Sequence, residues 1–247
     1  MKSISELVEQ LGSDDQKVAY QARQELAKLS AIASKPDAGQ PELANGLAAE
    51  LTATTKAIRN GKEQETPKHS AVVKNQLVQY LSILGTDSHV AVLSAALSSL
   101  ETREMARWAL DRIPSEAATK ALVSAFEQVG PEFRTGVINA LGKRKGAEVQ
   151  AALLKAASDS EMSVRLAAIE ALANFPEPSN DEPIASAAKA GPPRARARAN
   201  KARVRLAETL RNAGKKDAAV AIYKSIVGND ADEPQKKAAR LALEQLT

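Results

Sequence analysis

The chain predicts an all-α protein, an α-solenoid (alpha-alpha superhelix) of about seven stacked helical hairpins, and three observations in its 247 residues predict it. The pattern Arg-x-x-Ala-x-x-Ala-Leu, complete at Arg165, Ala168, Ala171 and Leu172, recurs at intervals of 31 residues in Arg103, Ala106, Ala109 and Leu110 and in Arg134, Val137, Ala140 and Leu141. A period of about 30 to 45 residues marks stacked supersecondary units, each too small to bury its apolar face alone. The apolar content is 44% but the aromatic content only 3%, which suits closely packed helices rich in Ala and Leu. Pro114, Gly130-Pro131 and Gly142 to Gly146 fall between the periodic segments, where they punctuate helices.

The recurrence extends in both directions. Lys74, Leu77, Tyr80 and Leu81 lie 29 positions before the Arg103 copy. Arg203, Leu206, Thr209 and Leu210 follow the Arg165 copy by 38 positions, and Lys236, Ala239, Ala242 and Leu243 follow by 33 more. Near the start, Val18, Ala22 and Leu26 repeat the spacing of Val164, Ala168 and Leu172, with Ala19 in the place of the Arg.

Each element follows from local spacing. Ile4, Leu7, Val8 and Leu11 share one helical face, Gly12 to Asp15 supply a turn with N-cap residues, and Val18, Ala22, Leu26 and Leu29 line a second helix. Ala33 to Pro41 reads as a polar loop, Leu43 to Ile58 as a helix and Gly61 to Thr66 as a charged turn. Pro67 is expected to open the helix that carries Lys74 and Leu81, which Gly85 closes. From 87 to 175 the alternation is most regular: Val90 to Leu100 with Glu101 to Ile113, Ser115 to Val129 with Pro131 to Leu141, and Ala147 to Ala157 with Glu161 to Phe175. Glu101, Glu132, Asp159 and Glu161 stand where an acid caps the second helix of a pair and favours its positive end. Residues 176 to 193 read as a Pro-rich break, after which Arg194 to Ala213 forms a long helix. Asp217 to Val227 and Glu233 to Leu246 complete the last hairpin, so the whole of 1–247 is expected to form one repeat array.

These second helices, opening as Val-Arg-x-x-Ala-x-x-Ala-Leu at Val164 to Leu172, resemble the HEAT repeat family in its short bacterial, HEAT-like form. The resemblance implies a ladder of Arg103, Arg134 and Arg165 with acids of the preceding turns, a structural device rather than an anion site. Lys74 and Ala19 depart from it. The hairpin 203–246 also resembles a tetratricopeptide unit through Gly214, Asp217, Ala219 and Tyr223. Some proteins of HEAT-like architecture are enzymes. A di-iron hydroxylase of this type would need His-Glu ligand pairs, but the two histidines, His69 and His89, are not followed by Glu. A DNA glycosylase would use a Trp with a carboxylate. Trp108 and Asp111 have that spacing, which equally suits a packed Trp beside a solvated Asp. Bilin lyases share the repeat class without a local motif that marks one here.

Charge singles out one element. The net charge is +4, but residues 189 to 216 hold ten Lys and Arg against Glu208 alone, so the remainder of the chain is mildly acidic. Arg194, Arg198, Lys201 and Arg205 step by four, three and four and form one stripe, with Arg196 and Arg203 on the other flank of the apolar face. Like charges at this spacing repel by a few tenths of a kcal/mol per pair, so a partner or nearby acids should relieve them. The same charge also suits a solvated face.

The chain has no Cys, no phosphate-cradling Gly-rich loop, no nucleophile elbow and no zinc spacing. No cofactor, no metal and no catalytic residue is expected. The amino-terminal segment carries acids where a secretory h-region would be apolar, and no apolar run approaches a membrane span. A cytoplasmic, non-catalytic module that binds a protein with an acidic surface, through its second-helix face or the basic helix, is the leading expectation. A nucleic-acid-binding protein, glycosylase-like or otherwise, and an accessory subunit of a bilin lyase are the alternatives.

Overall fold

In the computed structural model the described residues are 2–35, 41–59, 62–228, 231 and 233–246. They form fourteen α-helices and one β-hairpin, in two compact units, Met1–Ala125 and Phe126–Thr247. The all-α solenoid class is as the repeat predicts.

The first unit holds α1 (Ile4–Leu11), α2 (Gln16–Ala33), α3 (Pro41–Thr52), β1 (Thr54–Arg59), β2 (Lys62–Pro67), α4 (Ala71–Leu84), α5 (Val90–Leu97) and α6 (Arg103–Arg112). Helix α7 (Glu116–Gln128) carries the boundary between the units. α1 pairs with α2, α3 with α4 and α5 with α6, and the second helices α2, α4 and α6 stack in that order. A reciprocal capping box starts α1, with Ser3 Oγ accepting from the Glu6 N–H and the Glu6 carboxylate accepting from the Ser3 N–H. The core between the helix pairs is aliphatic: Leu7, Leu26, Leu47, Leu77, Leu81, Leu93 and Leu110 are each at most 2% exposed. Consecutive repeats are also tied by polar contacts, with Asn75 Nδ2 donating to the Glu101 carbonyl and Arg112 Nε to the Ser82 carbonyl.

The β-hairpin corrects the expectation of a helix from Leu43 to Ile58 and of a helix opened by Pro67. α3 stops at Thr52, the strands pair antiparallel with Thr54 opposite Pro67 and Lys56 opposite Glu65, and α4 opens only at Ala71 with Ser70 as its N-cap. The physical reason was present in the sequence. Thr54, Thr55, Ile58 and Thr66 are β-branched, and the dipeptide Asn-Gly in the sequence between the two strands favours a two-residue hairpin connection. The chain on either side of the hairpin closes on itself, the Lys68 N–H donating to the Ala53 carbonyl at 2.8 Å. Residues 36–40 of the expected polar loop, and Gly61 of the expected charged turn, lie outside the described residues. Lys68 and His69, just past β2, anchor it: Lys68 Nζ reaches Glu9 at 3.0 Å and Glu50 at 3.2 Å, and His69 Nε2 lies 2.6 Å from Glu50 Oε2.

The second unit continues with α8 (Pro131–Leu141), α9 (Ala147–Ala156), α10 (Met162–Leu172), α11 (Asp181–Lys189), α12 (Pro193–Asn212), α13 (Lys216–Gly228) and α14 (Glu233–Glu244). α8, α10 and α12 stack as successive second helices, with α9 and α11 as the first helices of the α10 and α12 pairs. Approach is close where α8 ends: a Cβ on Gly142 would lie 2.9 Å from that of Ala171.

The Pro-rich stretch 176–193 contains a regular element. A 3-10 turn, Pro178–Asn180, leads into α11, and Pro183 occupies the first turn of that helix, where no intrahelical N–H is required. Asn180 is fully buried and secures the turn, its Nδ2 donating to the carbonyls of Leu172 and Phe175 and its Oδ1 accepting from Gln150. The longer interval in the repeat is therefore a longer connection into a complete helical pair.

A candidate basic interface on helix α12

Helix α12 is twenty residues long, starts with Pro193 at N1 and buries Ala195, Ala199, Ala202, Leu206 and Leu210 along one face. Small Ala side chains bring its backbone near its neighbours. Polar side chains flanking that face are consequently held against α10 on one side and α11 and α13 on the other.

The expected stripe Arg194, Arg198, Lys201 and Arg205 lies on one exposed flank, and the structure divides it. Arg198 is bidentate with Glu170 of α10, at 2.7 Å and 2.8 Å, and this carboxylate favours the charged guanidinium. Arg205 Nη1 stands 3.5 Å from the Glu170 carbonyl. Both thus face the neighbouring helix. Arg194 and Lys201 are exposed, and neither makes an ion pair or a side-chain hydrogen bond among the described residues. Seven positions separate them, about 10 Å along the helix.

On the opposite flank, Arg203 is 2% exposed and makes a two-point contact with the Asp181 carboxylate, at 2.7 Å and 2.9 Å, while Nη2 also donates to Ser225 Oγ. Spacing alone placed Arg203 in the repeated Arg position but gave no sign that it would be buried. Its partner stands 22 positions earlier, in the segment read as a break.

The three arginines of the expected ladder have different partners. Arg134 reaches forward to Asp159 Oδ2 at 2.8 Å and donates through Nε to the Val129 carbonyl. The Asp159 carboxyl is held below its ordinary value first by the Glu161 backbone N–H and then by the Arg134 guanidinium, against burial that pushes it up. Arg165 Nη1 donates to the carbonyls of Asp159 and Ser160 rather than to a carboxylate. Arg103, at the start of α6, is half-buried.

Trp108 is 39% exposed, with the Arg112 guanidinium 5.5 Å from its ring centroid, and Asp111 is half-buried. That differs from a core-packed Trp beside a solvated Asp. His89 is buried, with Nδ1 accepting from the Thr86 N–H and Nε2 within 3.1 Å of Asn45 Oδ1. Among the described residues no group of three His, Asp or Glu is placed to hold a metal ion, and no helix is long and apolar enough to cross a membrane.

Residues 130–202 match the family model described as HEAT repeats. No curated protein matches the chain. Among solved structures, the condensin Cnd3-Cnd2 subcomplex of S. pombe is 14% identical, over 90% of this chain and 32% of that one, with a TM-score of 0.50. The complex of CpcE and CpcF of phycocyanin lyase from Nostoc sp. is 18% identical, over 98% of this chain and 87% of that one, with a TM-score of 0.46. An archaeal HEAT-like repeats protein from Thermococcus onnurineus is 14% identical, over 100% of this chain and 97% of that one, at 0.45. At these identities the likeness concerns fold.

Proposed function

We propose that this HEAT-repeat α-solenoid is a non-catalytic protein-interaction module that docks an acidic segment of a partner protein along the exposed flank of α12. The observation that carries the reading is the pair Arg194 and Lys201, exposed and without an ion pair among the described residues. They stand beside Arg198, which Glu170 already engages, and on the same helix as Arg203, which Asp181 engages. An uncompensated pair of charges on a rigid helix steers an oppositely charged partner and fixes its register more than it adds raw affinity.

A protein partner fits this surface better than a nucleic acid. Non-specific duplex binding rests on many phosphate contacts, about six to ten in typical cases, and single strands need aromatic stacking platforms. The two unpaired cations of this flank and an aromatic content of 3% supply neither. The array also matches the general use of helical repeats, which present an extended rigid surface rather than a pocket for chemistry.

The test is fluorescence anisotropy with a labelled twelve-residue Glu/Asp peptide and a labelled single-stranded oligonucleotide of the same length as probes. The protein should bind the peptide at low salt and release it as salt rises. Arg194→Gln with Lys201→Gln, which leaves the Arg198–Glu170 contact in place, should weaken peptide binding about tenfold and flatten its salt dependence. The fourfold change that adds Arg198→Gln and Arg205→Gln should weaken it further. Peptide affinity unchanged by the double substitution, or tighter binding of the oligonucleotide, would overturn the reading.

A further inference from the structure

A second basic feature lies on the other flank of α12, where a cavity of about 260 Å³ opens between α11, α12 and Ala231. Its polar lining is Lys189, Arg196, Asn200 and Arg203. Arg203 is spoken for, since Asp181 and Ser225 engage its Nε and Nη2. The other three are not. Lys189 and Arg196 make no ion pair among the described residues, so the lining carries two uncompensated positive charges. Arg196 Nε is sealed from water with no acceptor among the described residues. Asn200 is 5% exposed, and its amide makes no hydrogen bond there either.

Such an arrangement is costly for the empty protein, because a buried polar group without a partner forfeits its hydration and gains nothing in return. Helix packing does not require it: Ala at position 200 would continue the Ala195, Ala199 and Ala202 face. The unpaired groups, a guanidinium, an ammonium and a carboxamide, each offer N–H donors, and they line one space. Their common complement is an oxyanion. The guanidinium is planar and offers paired N–H groups that match the two coplanar oxygens of a carboxylate, and the carboxamide NH2 can donate one further N–H to it. The volume lies below the usual range for drug-sized ligands, about 300 Å³ and above, so it suits one acidic group with a short stem.

We infer that the α11–α12 cavity is a carboxylate-binding pocket, in which Arg196 and Asn200 hold the carboxylate and Lys189 at the rim adds charge. It is a site distinct from the exposed stripe, since Arg196 and Asn200 face away from Arg194 and Lys201 around α12. The carboxylate can belong to a free small acid or to a side chain of a bound protein, and the two sources give different results below.

Isothermal titration calorimetry of the full chain with glutarate, a blocked acidic hexapeptide and inorganic phosphate tests the pocket. Glutarate should bind with one-to-one stoichiometry if the source is a free acid, and the hexapeptide alone should bind if it is a protein side chain. Arg196→Gln should weaken that binding at least tenfold, with the helical circular-dichroism signal and melting temperature kept as a check on folding. Arg194→Gln with Lys201→Gln should leave glutarate binding unchanged, so this pocket and the exposed stripe can fail independently. For the hexapeptide, the Arg196→Gln loss should persist in the background of that double substitution. Binding of phosphate but of neither carboxylate probe, or carboxylate affinity indifferent to Arg196→Gln, would overturn the inference. So would carboxylate binding that appears only after Asp230→Asn with Asp232→Asn, because the acids flanking Ala231 would then be the pocket's own occupants.

Discussion

Arg203 lies with only 2% of its surface exposed and meets the carboxylate of Asp181, 22 positions earlier, through two hydrogen bonds of 2.7 Å and 2.9 Å. This contact joins α12 to the first turn of α11, and so fixes the pair that the Pro-rich connection introduces. Asp181 also stands at the positive end of α11, which stabilises its charge.

Removing one member of such a pair should cost far more than replacing both. Arg203→Ala leaves Asp181 without its partner and opens space in the core, and should destabilise the second unit by about 3 kcal/mol. Arg203→Met combined with Asp181→Leu should recover most of that loss, since packed apolar groups of similar size need no counter-charge. Urea denaturation followed by circular dichroism checks both. Equal destabilisation by the single and double substitutions would show that the ion pair itself contributes the stability.

Stability should fall on mild acidification through His89. Burial pushes its pKa below the ordinary value, and Nδ1 accepts the Thr86 N–H, which requires the neutral ring at that nitrogen. The folded state therefore binds the proton less readily than the unfolded chain. By linkage, the contribution is fully present above the unfolded value, about 6.5, and is lost as pH falls toward the depressed folded value. Urea midpoints measured between about pH 7.5 and 5 should decline. In His89→Gln, whose amide can still meet Asn45, the decline should be shallower. An identical slope in the variant would assign the effect to other groups.

The β-hairpin should be dispensable. The described side chains of β1 and of nearly all of β2 are exposed, and the link that closes its base, Lys68 N–H to the Ala53 carbonyl, lies outside the strands. Replacing residues 55–66 with Asn-Gly should move the melting temperature by no more than a few degrees, as expected for a surface change worth about 0.5 kcal/mol. Loss of a cooperative transition would place the hairpin within the folded core.

This hairpin departs from the expected elements, as does the helix α11 within the expected break, and the hairpin's cause is a choice of weight rather than a lack of signal. Leu43, Leu47 and Leu51 set a helical spacing that extends on paper toward Ile58, while the Asn-Gly dipeptide and the β-branched Thr54, Thr55 and Ile58 favour a turn between strands. The leucine spacing of α3 ends with Leu51, and β1 begins at Thr54. For the α12 surface, the identity of the cations was legible and their state was not. Arg198 and Arg203 read the same as Arg194 and Lys201 until the helices are packed.

The sequence by itself determined the repeat, the helical pairs and the faces they bury, because a period of 3.6 residues within helices and of about 30 between them writes the core into one dimension. Tertiary structure decided which charges remain available. Glu170 and Asp181 lie 28 and 22 positions from the arginines they engage, on helices brought alongside only by stacking, and no local spacing encodes that register. The pocket beside Arg196 and Asn200 arises the same way, from polar side chains that the packing of α11 on α12 encloses without supplying an acceptor.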